Sequence, residues 1–130
     1  MKKHLAIFSV GIGEKILNGE KTIESRFSRA KIAPFGIVSN GDLVYIKPAG
    51  EEIIGQFRVK KVISFEGLDL DDLSNIKEQY GEFLAVSEDF WDQHQAAKYG
   101  TLIFIGESNK FITSPIKIPK KDLRGWVVLD

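Results

Sequence analysis

The stretch Gly19-Glu20-Lys21-Thr22-Ile23-Glu24-Ser25-Arg26-Phe27-Ser28-Arg29 decides how the chain is read. A glycine able to end a helix is followed at once by a run that alternates like a strand, and that run carries Lys21, Glu24 and Arg26. Strand alternation puts Thr22, Glu24 and Arg26 on one face and Ile23, Ser25 and Phe27 on the other, with Lys21 opposite Glu24 unless the strand begins after it. Polar residues concentrated on one face suit a solvated edge. On a strand that lines an open barrel end, the same residues form a site.

Outward from this stretch, strands predominate. Upstream, HLAIFSV (His4–Val10) reads as a first strand, and Ile12, Ile16 and Leu17 mark a short helix before Gly19. Downstream, the loop at residues 30–39 carries Pro34 and Gly36, and the Asn40-Gly41 turn leads into DLVYIKP. A longer strand follows in EIIGQFRVKKVISF, where Gly55 marks a bulge or a close backbone approach. LDLDDLSNIKEQYG predicts a helix with Leu70, Leu73, Ile76 and Tyr80 on its apolar face. SEDFWDQHQAAKYG predicts a second helix, with Ser87 as N-cap, Lys98 in the last turn and Gly100 beyond the end. Strands resume in TLIFIGES, in KFITSPIKIP, limited by Pro115 and Pro119, and in GWVVLD.

The 130 residues suit one domain, 1–130, with a helical insert over roughly 68–99. With 43% hydrophobic and 28% charged residues, the composition is that of an ordinary globular protein. The absence of cysteine excludes disulfides, thiolate nucleophiles and cysteine-ligated zinc. No apolar run reaches the ~20 residues of a membrane span, and the start lacks a cleavage pattern, so the expected location is the cytoplasm.

The net charge is zero but unevenly spread: 11 basic and 6 acidic side chains over 1–65 (+5), 1 and 9 over 66–92 (−8), 6 and 3 over 93–130 (+3). A basic face therefore remains open to the first segment, and strong nonspecific binding to long duplexes does not. His4 and His94 stand without metal-ligand spacing, and the glycine turns match neither a phosphate loop nor a dinucleotide fingerprint, so no metal and no cofactor is expected.

Three blocks, ILNGEKTIESRF (16–27), NGDLVYI (40–46) and IGQFRVKKV (54–62), followed by a helical insert and the strand at 101–105, resemble ASCH domains of the PUA-like group. The resemblance implies a mixed α/β, mainly β fold: a small β-barrel of five to six strands with peripheral helices, and a cleft lined by GEKTIESR. Members are thought to bind RNA or modified nucleotides, and a few are enzymes. One is an amidohydrolase acting on acylated cytidine through a lysine, a nearby threonine and a later glutamate. The family lysine falls on Lys21, whereas Glu24 occupies the threonine position and Thr22 lies beside it. Glu78 and Glu82 are candidates for the later glutamate by chain region alone.

On this reading Lys21, Glu24, Arg26, Arg29, Phe35 and Lys47 bind RNA or a modified nucleoside, with the 30–39 loop as a gate. Lys21 and Arg26 place a phosphate or carbonyl, and Glu24 orients a donor group. A second reading is hydrolysis of an acylated nucleoside or RNA, with Lys21, Thr22 and Glu24 catalytic. A third is a protein partner bound by the acidic helical insert.

Overall fold

The computed structural model describes residues 1–113 and 124–129. Its strands are β1 (Lys3–Phe8), β2 (Ile23–Ser28), β3 (Leu43–Pro48), β4 (Gly55–Glu66), β5 (Tyr99–Lys110) and β6 (Trp126–Leu129). Three helices interrupt them: α1 (Ile12–Leu17), α2 (Leu70–Leu84) and α3 (Glu88–Gln93). The strands form one sheet in the order β2-β5-β4-β3-β1-β6, antiparallel throughout except for the parallel β1–β3 pair.

Among the described residues β2 and β6, the two ends of this order, do not pair with each other. The sheet is therefore a curled, open half-barrel of six strands with peripheral helices, consistent with the small mixed α/β barrel expected from the sequence. Curling brings the ends close enough for side chains to join them: Arg26 on β2 donates to Ile7 O on β1 at 3.0 Å and to Gly125 O, just before β6, at 3.2 Å.

The alternation of β5 sorts the two faces. Ile103 turns into the concave core with Phe8, Ile46, Phe57 and Trp126, while Leu102 joins Ile23, Leu73, Ile76 and Leu84 on the convex side under α2. Helix α2 opens with a capping box, in which the Asp72 N–H donates to Asp69 Oδ1 at 2.8 Å and the Asp69 N–H donates to Asp72 Oδ2 at 3.1 Å. Leu70, expected on the apolar face, is 61% exposed, and Leu68, just before the helix, takes that place in the core. Leu70, the first helical residue, falls on the solvent side of α2, and Leu68, before the cap, packs with Leu73 instead.

The second insert helix is shorter than its sequence predicts. It ends at Gln93, and Tyr99 and Gly100 belong to β5, where they pair with β2 on one side and β4 on the other. Ser87 is its N-cap by position but makes no side-chain capping bond. Gly55 does sit at a close approach, since a Cβ there would lie 2.6 Å from Asn109 O; the β4 register shifts fall further along, between Phe57 and Lys61. The predicted strand around Ser114-Pro115 and Pro119, the basic residues Lys117, Lys120 and Lys121, and the terminal Asp130 lie outside the described residues. No helix among the described residues is long and apolar enough to cross a membrane.

Candidate functional site

Helix α1 ends at Asn18, Gly19 turns with φ +84°, and the Lys21 N–H returns to Lys15 O at 2.9 Å. This turn fixes where β2 begins. Because the strand starts at Ile23, Lys21 is free of its alternation and comes round to the side of Glu24. Its ammonium donates to Leu84 O at the end of α2 and lies 3.4 Å from Glu24 Oε1.

Lys21 is 1% exposed and Glu24 5%. Desolvation pulls the Lys21 ammonium below its ordinary range, against the opposing attraction of Glu24; Arg26 and Lys15 pull the same way as burial. Of its three N–H donors, Leu84 O and Glu24 engage two, which leaves one.

Every acceptor position of Glu24 is used. Oε1 takes the Ser25 N–H at 2.9 Å and faces Lys21, while Oε2 takes Arg26 Nε at 3.2 Å and Nη2 at 3.1 Å. Arg26 spends four of its five N–H groups on Glu24, Ile7 O and Gly125 O. Its guanidinium also lies over the rings of Phe8 and Trp126, 5.0 and 5.2 Å from their centroids. The fork expected to hold a ligand is largely occupied in joining the ends of the sheet.

Trp126 is held from behind by a buried relay. Its indole Nε1–H donates to His4 Nδ1 at 3.0 Å, and His4 Nε2 lies 2.8 Å from Asp42 Oδ2. An indole nitrogen only donates, so Nδ1 is the acceptor and Nε2 carries the proton toward Asp42. Burial pushes the Asp42 carboxyl upward, but hydrogen bonds from the Lys2 N–H, the His4 ring and the Ser39 N–H outweigh it and leave the group below its usual range.

Lys21, Glu24 and Arg26 line a cleft of about 660 Å³ between β2 and β1. Its other walls are Ile7 to Ser9 of β1 and the following loop, Lys15 of α1, and the Ala85–His94 side of the insert, with Asp89 and Phe90. Ser25 also lines it, and its buried hydroxyl has no partner among the described residues. His94 donates from Nδ1 to Phe90 O at 2.6 Å, which leaves Nε2 as the ring's second polar position. Counting Lys15, Lys21, Arg26, Glu24 and Asp89, three cations meet two anions.

The remaining sequence candidates lie elsewhere. Thr22 is exposed and outside the cleft, its N–H tied to Phe83 O and its carbonyl to the Ile105 N–H. Arg29 is exposed beyond the end of β2, and Lys47 is half-buried on β3 opposite Ile7; neither lines the cleft. Glu78 and Glu82 are exposed on α2 and also outside the cleft, so the insert's acidic contribution there is Asp89. Phe35 lines a separate, smaller cavity on the other side of Arg26. Sequence reasoning missed the β1 wall and Phe90, Gln93 and His94, whose approach depends on contacts distant along the chain.

Among solved structures, the chain is similar to an ASCH protein from Zymomonas mobilis, with a TM-score of 0.67 at 13% identity over 84% of this chain and 70% of that one. A tyrosine-to-phenylalanine variant of that protein matches with a TM-score of 0.68 at 13% identity, over 85% and 73%. The hypothetical protein PH0355 matches with a TM-score of 0.51 at 15% identity, over 79% and 96%. No family model and no curated protein matches the sequence. At these identities the likeness establishes the fold alone, one shared with the ASCH protein from Zymomonas mobilis.

Proposed function

We propose that the protein binds single-stranded RNA or a modified nucleotide in the cleft between β2 and β1. The observation that carries this reading is Lys21, sealed at the cleft floor with one N–H unspent and held in place by Leu84 O and Glu24. A desolvated, positioned cation attracts a phosphate or carbonyl oxygen far more strongly than a solvated one does. Arg26 adds its positive charge to the cleft, and Glu24 orients both cations instead of reading a donor on the ligand. Phe90 and His94 on the facing wall supply rings against which a base stacks. The volume admits a nucleotide-sized group and falls within the ~300–1,000 Å³ of ordinary ligand sites.

The second reading is hydrolysis of an acylated nucleoside in the same cleft. It is favoured by Lys21 beside Glu24, because burial lowers the proton affinity of this ammonium and makes it a readier proton donor than a solvated lysine. Thr22 has no place in that chemistry, because it lies outside the cleft.

Thermal unfolding of wild type and Lys21→Met with short single-stranded RNAs and a panel of nucleosides and nucleotides tests the reading, with product analysis of each mixture. A ligand that raises the wild-type Tm and leaves Lys21→Met unmoved is the expected result. Products that require Lys21 establish the hydrolytic reading. No shift and no product across the panel overturns both and transfers attention to the acidic insert as a protein-binding surface.

A further inference from the structure

On the far side of Arg26 lies a second cavity of about 190 Å³, walled by Phe27, Pro34, Phe35, Thr101 and Trp126. Thr101 is 1% exposed, and its hydroxyl has no hydrogen-bond partner among the described residues. A buried unpartnered hydroxyl is costly to keep, and a valine of the same shape would avoid the cost, so the group calls for an explanation. Thr101 stands directly opposite Arg26 in the β2–β5 ladder, which places hydroxyl and guanidinium side by side on one face. The N–H that Arg26 leaves unspent belongs to Nη1, the nitrogen that also donates to Gly125 O at the edge of this cavity.

We propose that this cavity binds one flat, uncharged nitrogen heterocycle of nucleobase size through a ring carbonyl. The carbonyl oxygen has two lone pairs, and the two available donors, Thr101 Oγ1–H and Arg26 Nη1–H, converge on it. The two aromatic walls, Phe35 and Trp126, take the ring faces and edges. Size sets the class: at ~30 Å³ per water the space is worth about six waters, below the range of drug-sized sites and enough for one ring system without its sugar. Phe35 forms the outer wall, braced edge-on by Tyr99 at 5.1 Å and capped by Lys31 5.6 Å from its centroid.

The test is an NMR titration of the whole protein with uracil, cytosine and hypoxanthine, following the Trp126 indole N–H and the Gly125 amide, with benzene as the apolar control. At least one base shifts both signals, and Thr101→Val, which removes a hydroxyl that bonds nothing among the described residues, weakens it about tenfold, the worth of one hydrogen bond. Thr101→Ser restores the affinity, and Lys21→Met leaves it unchanged, separating this cavity from the cleft. Bases that leave Trp126 unmoved, equal binding by Thr101→Val, or benzene binding as well as the bases would each overturn the proposal. Lys21-dependent binding of RNA alongside an unmoved Trp126 would leave the cleft reading intact and refute this one.

Discussion

Lys21 shows how one residue's chemistry depends on where a strand begins. Two positions further back it would be a solvated lysine at a helix end; here it is enclosed, and burial lowers its proton affinity more than Glu24 raises it. The consequence for stability has a definite sign. A lysine whose folded pKa is lower than its unfolded value of about 10.5 binds fewer protons when folded, so between those two values stability rises with pH. Below the folded pKa the penalty is present in full; across the window it is relieved at about 1.4 kcal/mol per pH unit. Wild type should therefore gain on Lys21→Met as pH is raised from neutrality toward 10, measured as the difference between their urea-unfolding free energies. A difference that stays flat over that interval would mean that Lys21 is solvated as an ordinary surface lysine.

At the level of elements, two glycines make opposite predictions from the same substitution. Gly55 opens β4 against the backbone of β5, and an added Cβ meets Asn109 O at 2.6 Å and Leu17 Cδ2 at 2.9 Å. The backbone oxygen cannot move aside cheaply, so Gly55→Ala should cost about 1–3 kcal/mol. Gly81 lies inside α2 with only Lys77 Cγ near, at 3.7 Å, an ordinary contact. Gly81→Ala should stabilise by about 0.5–1 kcal/mol through helix propensity and a smaller unfolded-state entropy. Chemical denaturation of the two variants checks both signs. Gly55 was legible because an isolated glycine in a strand pattern marks a close approach. The boundaries of the insert were not, because Ala96 to Lys98 reads as the last turn of a helix locally while β2 and β4 each offer the following Tyr99 and Gly100 a ladder. Tertiary pairing overrode propensity there, just as it left Leu70 outside and drew Leu68 in.

For the whole molecule, the decisive feature is that the Arg26 side chain joins the two ends of an open sheet. Proximity along β2 made the grouping of Lys21, Glu24 and Arg26 legible in the sequence, but the partners that define Arg26, Ile7 O and Gly125 O, lie 19 and 99 residues away and leave no local trace. An arginine that reads as a ligand fork is instead the clasp between β2, β1 and the approach to β6, stacked on Phe8 and Trp126. Trp126 in turn is tied through His4 to Asp42, so the clasp and the buried relay hold the last strand together. Arg26→Met keeps the length and apolar bulk of the stem but removes the charge and the N–H groups, leaving Glu24 with Lys21 as its one cationic partner. Breaking one arm of a buried ion pair costs about 3–5 kcal/mol, and the remaining lysine and the partial exposure of Arg26 place the loss at the lower end, about 3 kcal/mol. Amide hydrogen exchange distinguishes the clasp from a merely local contact. If Arg26 closes the sheet, protection in Arg26→Met falls in β6 and at the end of β1 while the β4–β5 ladder, which has no share in the closure, keeps its rank as the slowest-exchanging region. Uniform loss of protection, in step with the global stability, would show that the half-barrel closes without it.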